Sequence, residues 1–251
     1  MLHILAIGNS FSQDATYYLH QMLEAGGVEN KVVNLYIGGC SLERHWKNIR
    51  EDEAAYVYEA NGSATARLVS VREALEEEAW DVVTTQQASH DSGWMDTYEP
   101  FLGQILTYIR GKMPKATVLL QKTWAYETDS HHEAFPRYHC NQEEMYERLS
   151  LAYGEAARRE GVGMIPSGDV IQALRKVPPF VYGEGGMSLC RDGFHMHYLY
   201  GRYALAATWY ERLIGKDIQE NTFMPHSDLW DGEADPEALA VIRKIVHRVC
   251  H

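Results

Sequence analysis

LHILAIGNSFSQDATYYLHQMLEAGG, residues 2–27, is the stretch on which the fold turns. Its apolar run from Ile4 to Ile7 stops at Gly8, as a strand buried on both faces of a parallel sheet does. A helical pattern follows. Tyr18, Leu19, Met22 and Leu23 share one face, Asp14 reads as the cap, and Gly26-Gly27 ends the helix. Ser10 falls between the two elements, at the carboxyl end of the strand.

The same alternation continues outward. DVVTTQQ (81–87), ATVLLQ (116–121) and VGMIP (162–166) read as strands, and so does KVVNLYIGG (31–39). Segments 72–80, 98–113, 141–161, 198–215 and 235–249 read as helices. Strands alternating with helices predict a three-layer α/β sandwich, a parallel sheet of about five strands covered on both faces. Asn61-Gly62, between two runs of β character, predicts a type I′ hairpin that leaves the main sheet. Residues 1–251 read as one domain, with a core over about 3–213 and a helical extension over 214–251. Ligands of such sheets bind beyond the carboxyl ends of the strands. Ser10, Gly38-Gly39, Gln86-Gln87 and the loop after Gln121 all fall there.

The formal charge of −12 argues against nucleic acid and anionic membrane surfaces, whose affinity for proteins comes from Lys and Arg. The four cysteines, Cys40, Cys140, Cys190 and Cys250, form no CxxC pair and predict neither a zinc ribbon nor a disulfide framework. The first strand follows Met1 without a basic region or cleavage site, which predicts a cytoplasmic protein.

A serine hydroxyl becomes a nucleophile when a positioned base takes its proton, and an acid holds that base in the right tautomer. Among the 12 histidines, one stands out in RDGFHMHYLYGRYALA (191–206). Asp192 and His195 are three apart, just before the last long core helix. In a turn or a first helical coil that spacing sets both side chains on one side. Ser10, Asp192 and His195 are therefore the candidate catalytic residues. His197 is the weaker candidate for the base, because its offset from Asp192 is five. No cofactor is predicted, and no metal. His131-His132, His139 and Cys140 share a loop but lack a strict ligand spacing, so the loop reads as a polar rim. Trp124, Tyr126 and Arg137 in that rim are candidates for binding a sugar-like substrate.

These blocks resemble the SGNH hydrolases, also called GDSL hydrolases, and most closely a bacterial branch described as a domain of unknown function. Gly8-Asn9-Ser10-Phe11 is similar to the Gly-Asp-Ser-Leu block of that family. DGFH, with Asp192 and His195, matches its Asp-x-x-His block. Gly39 or Gly38 corresponds to the glycine after its second strand. The resemblance implies a flavodoxin-like strand order and a serine esterase with no cofactor. It implies a small ester substrate, such as an acetylated carbohydrate, and an oxyanion held by the N–H groups of Ser10 and Gly39. One block departs. The family carries Gly-x-Asn-Asp after the third strand, and here the stretch is DVVTTQQASHDSG (81–93), without Asn. Gln87 is expected to supply the amide donor, with His90 and Gln86 as rivals. A lipid or thioester hydrolase, or a non-catalytic binding module on the same fold, are the alternative readings.

Overall fold

In a computed structural model that describes residues 1–251, the apolar runs become one seven-stranded sheet. Its strands are β1 (Leu2–Gly8), β2 (Asn30–Tyr36), β3 (Tyr56–Ala60), β4 (Ser63–Val69), β5 (Val82–Thr85), β6 (Thr117–Gln121) and β7 (Gly163–Ile165). The spatial order is β4-β3-β2-β1-β5-β6-β7. β2-β1-β5-β6-β7 are mutually parallel, so the five expected parallel strands are present in the flavodoxin-like order.

The hairpin corrects the expected count. It does not leave the sheet but extends it, because β3 pairs antiparallel with β2 and β4 with β3. Asn61 and Gly62 have φ of 52° and 82°, as a type I′ turn requires at both central positions. All of β4 but its last residue is exposed, with Ser63, Thr65 and Arg67 along it, a polar edge that discourages further strand pairing.

Nine α-helices cover the sheet. α1 (Ser10–Thr16), α2 (Leu19–Ala25), α7 (Ser167–Leu174), α8 (Tyr200–Ile214) and α9 (Pro236–Cys250) lie on one face, with α8 touching the other four. α3 (Leu42–Glu51), α4 (Val71–Glu77), α5 (Phe101–Lys112) and α6 (Gln142–Glu160) cover the other. α3 and α7 are not apparent in the sequence pattern. The first helical segment is split into α1 and α2. Ile4, Leu5, Ala6 and Ile7 of β1 are wholly buried, as a central parallel strand demands. Ala238, Leu239, Ile242, Ile245 and Val246 bring α9 into the same continuous core.

The register sets the position of the site. Gly8 pairs with Tyr36, Ile7 with Thr85, and Thr85 with Leu120. The strands therefore finish nearly flush. β1 leads to β2 through α1 and α2 on one face, whereas the chain reaches β5, on the other side of β1, through α4 on the opposite face, and a crevice opens beyond β1 where that reversal occurs.

Candidate active site

The turn from β1 into α1 is built by Asn9. Its backbone is extended, and its Oδ1 accepts the Phe11 N–H at 3.0 Å, so α1 begins at Ser10 rather than near Asp14. Asn9 also joins three strand ends. Its Nδ2 donates to the Cys40 carbonyl at 3.1 Å, and its Oδ1 accepts from Gln86 Nε2 at 2.8 Å. The carboxamide is buried, where a missing partner would cost about 1–3 kcal/mol. Ser10, as the first helical residue, has no intrahelical partner for its N–H.

Asp192 and His195 meet as their spacing predicts. Asp192 Oδ2 lies 2.7 Å from His195 Nδ1. Asp192 Oδ1 accepts the backbone N–H of His195 at 2.7 Å and of Phe194 at 3.2 Å. Partial burial works against the carboxylate. The imidazole N–H of His195 and the two backbone N–H groups outweigh it and hold the Asp192 pKa below the usual carboxylate range. An ionised Asp192 then places the His195 proton on Nδ1 and leaves Nε2 as the acceptor. The loop turns at Gly193, with φ of 85°, and a Cβ there would lie 2.8 Å from Ser130 Cα. Only glycine fits both demands.

Phe11 links the two halves. Its ring stacks on Trp124, with centroids 4.1 Å apart, and meets the His195 ring edge-on at 6.1 Å. Trp124 Nε1 donates to the Phe194 carbonyl at 2.8 Å, and the Glu127 N–H donates to the Gly193 carbonyl at 2.7 Å. The residue after Ser10, the end of β6 and the Asp-x-x-His loop thus form one packed unit. No hydrogen bond joins Ser10 Oγ to His195 Nε2 in this structure. Catalytic contacts of this kind often tighten only when substrate is bound.

Asp14 is a support that the sequence pattern hides. It is fully buried rather than a cap, and receives Arg191 Nη1 at 3.0 Å, Arg202 Nε at 2.8 Å and the Met196 N–H at 2.8 Å. It therefore pins the Asp-x-x-His loop and α8 to α1. A buried Asp on an apolar helix face is the only trace this leaves in the sequence. Glu127 is a second such support, accepting from Gln142 Nε2 at 2.7 Å and Ser188 Oγ at 3.1 Å, with Arg175 Nε 3.5 Å away.

The remaining candidates separate. Gly39 has φ of 60°, is exposed, and its N–H makes no internal hydrogen bond. Gln87 departs from the expectation. Its Nε2 donates to both the carbonyl and the Oγ1 of Thr97, at 2.9 and 3.0 Å, while its Oε1 accepts from Leu42 and Ala88 N–H. Both amide donors are spent on Thr97, so neither is free for an oxyanion, and the amide oxygen fastens the start of α3. Gln86 is buried and bonded to Asn9. His90 stays half-exposed, near Asp91.

Trp124 and Tyr126 also correct the sequence reading. Both are completely buried, Trp124 against Phe11 and Tyr126 among His132, Phe135 and Phe194, and neither offers a ring face to a ligand. Arg137 is exposed but bonded to the His90 carbonyl and Asp91 Oδ1, both at 2.8 Å. His197 makes no hydrogen bond or ion pair with Asp192, whose partner is His195. It stacks on Tyr200, with Trp230 against its edge, and burial lowers its pKa. Of the rim histidines, His132 packs against Phe194, and His139 pairs with Glu144.

The family model described as "Domain of unknown function (DUF4886)" matches residues 3–231. A DUF4886 family protein from Bacteroides uniformis is 38% identical with a TM-score of 0.89, over 99% of this chain and 94% of that one. A protein from Slackia heliotrinireducens assigned to the SGNH hydrolases is 21% identical with a TM-score of 0.57, over 84% and 97%. An acetylxylan esterase from Geobacillus stearothermophilus is 14% identical with a TM-score of 0.57, over 86% and 95%. The last two likenesses establish the SGNH hydrolase fold. No curated protein matches.

Proposed function

The chain belongs to the DUF4886 family and has the SGNH hydrolase fold, and on that premise we propose that it is a serine esterase acting on small acyl esters, acetyl groups on carbohydrates in particular. The observation that carries this reading is the 2.7 Å bond from Asp192 to His195 Nδ1, with Nε2 left open. It lies at the sheet edge where β1 delivers Ser10.

In this reading His195 Nε2 takes the Ser10 proton as Oγ attacks the ester carbonyl. Asp192 stabilises the imidazolium. The same imidazolium returns the proton to the leaving alcohol, and an acyl-serine forms. Water, deprotonated by His195, then releases the acid and frees Ser10. The N–H groups of Ser10 and Gly39 stabilise the oxyanion, each worth about 10²–10³ in rate. His90 is the side chain with which they act, since the amides of Gln86 and Gln87 are engaged elsewhere.

Two observations support a short acyl group on a sugar. The loop over 122–141, beside the site, is polar where it is exposed, with Asp129, His131 and Arg137. A long acyl chain would need contiguous aliphatic lining, at about 0.8 kcal/mol per buried CH₂. The fold is also shared with the acetylxylan esterase.

The test is hydrolysis of p-nitrophenyl esters from acetate to palmitate, beside acetylated xylo-oligosaccharides, by wild type and Ser10→Ala. Acetyl esters should be the best substrates, and the variant should lose several orders of magnitude in kcat with an unchanged Tm. Activity retained by Ser10→Ala would refute the nucleophile. A steady gain in kcat/KM with chain length would point to a lipid or thioester hydrolase instead.

A further inference from the structure

α8 and α9 pack side by side on one face of the sheet, and their C-terminal ends point away from the candidate active site. Glu211 lies eleven residues into α8, about 16 Å along the axis from the helix start beside the Asp-x-x-His loop. Its carboxylate is completely buried. A buried carboxylate needs charge or hydrogen-bond compensation, yet no Lys or Arg reaches this one. Oε2 accepts the Ile218 N–H at 3.2 Å. Oε1 faces two imidazoles, His247 Nδ1 at 2.6 Å and His251 Nε2 at 2.9 Å.

The two histidines are four apart, so the end of α9 brings both over the same point. Asp217 Oδ1 stands 3.3 Å from His247 Nδ1 on the solvent side. Both rings are partly exposed, which leaves the cluster open to an ion from solution.

We propose that Glu211, His247 and His251 form a binding site for a divalent transition-metal ion, zinc foremost, that fastens α9 to α8. The three donor atoms lie within 4.8 Å of one another. Ligands of a tetrahedral zinc at 2.0–2.2 Å stand about 3.4 Å apart. The N···O separations, 2.6 and 2.9 Å, open by about 0.8 and 0.5 Å respectively to admit the ion between them. Two imidazoles and one carboxylate suit zinc, cobalt, nickel or copper, whereas calcium and magnesium prefer oxygen-only shells. Asp217 is placed to complete the shell or to order a bound water. On binding, the metal replaces the protons that the imidazoles otherwise direct at Glu211 Oε1. This site takes no part in the ester chemistry proposed above.

The experiment uses the untagged full chain, stripped with a chelator and dialysed. Titration calorimetry and thermal unfolding are followed with zinc chloride, and with magnesium and calcium chloride as controls. Wild type should bind one zinc per chain. At zinc a hundredfold above Kd, Tm should rise by about 5–10 °C. His247→Ala with His251→Ala, on the exposed side of α9, should keep the fold and lose the zinc-dependent rise. Glu211→Gln should weaken zinc binding at least tenfold, and the double histidine variant decides the matter if Glu211→Gln unfolds. Absence of saturable zinc binding by wild type, a preference for magnesium or calcium, or an undiminished zinc effect in the double variant would each overturn the proposal. Esterase activity, present or absent, neither supports nor weakens the metal site.

Discussion

Phe11 and Trp124 stack face to face, 4.1 Å between centroids and 3° from parallel, so the residue after the candidate nucleophile is clamped to the end of β6. Trp124 in turn holds the Phe194 carbonyl of the Asp-x-x-His loop. Trp124→Ala should therefore cost about 3–5 kcal/mol of stability. Because it also loosens the register between Ser10 and His195, kcat should fall more than KM changes. Denaturant unfolding and steady-state kinetics check both. A loss under about 1 kcal/mol with full activity would show that the clamp is dispensable.

Asp192→Asn tests the orienting role. An amide NH₂ facing His195 Nδ1 favours the tautomer with its proton on Nε2, and Nε2 then cannot accept from Ser10. A drop of about 10⁴ in kcat is expected with the fold intact by circular dichroism, as for the same change in a serine protease. Retention of activity within tenfold would remove Asp192 from the machinery.

The oxyanion block separates Gln87 from Asn9. Gln87→Ala orphans the Leu42 and Ala88 N–H groups, and should lower stability by about 1–3 kcal/mol while kcat falls less than tenfold. Asn9→Ala releases the Cys40 carbonyl beside Gly39, and should lower kcat about a hundredfold. Thermal melts paired with kinetics at 25 °C discriminate the two. The reverse ranking in kcat would restore Gln87 as an oxyanion donor.

His45 makes the fold acid-sensitive. It is wholly buried, with Nδ1 2.9 Å from Tyr56 OH and 3.5 Å from Cys40 Sγ, and with Nε2 unpartnered. Burial, aided by the Arg44 charge, pushes its pKa down to about 3. Between that value and the unfolded value near 6.5, the unfolded chain binds the extra proton. Stability therefore rises with pH across this window and falls as pH drops through it. The slope from this group is at most about 1.4 kcal/mol per pH unit. His45→Gln, neutral throughout, should flatten the pH dependence of unfolding free energy between pH 4 and 6.5. Parallel curves for the two proteins would exclude His45 as the source.

Several features were legible in the sequence because they rest on contacts local along the chain. The β1 run from Ile4 to Ile7, the positive-φ pair Asn61-Gly62, and the Asp192–His195 spacing each specify their geometry within a few residues. The strand–helix alternation carried the fold class for the same reason. Other features depend on what distant segments bring. Whether the hairpin joins the sheet is decided by β2, whose free edge needs a partner. Trp124 and Tyr126 look like rim residues in a polar loop, but Phe11 and Phe194 from far along the chain bury them. Gln87 looks like a free amide until Thr97, Leu42 and Ala88 claim all of its hydrogen bonds. Asp14 looks like a cap until Arg191 and Arg202, from the far end of the chain, converge on it. Glu211, His247 and His251 belong to no motif, and only the packing of α9 on α8 sets them face to face. The strands, the turn and the Asp192–His195 pair follow from the chain alone, because their interactions close over short loops. Which polar groups remain free to act was left to tertiary packing, because a buried donor or acceptor takes whichever partner folding brings to it.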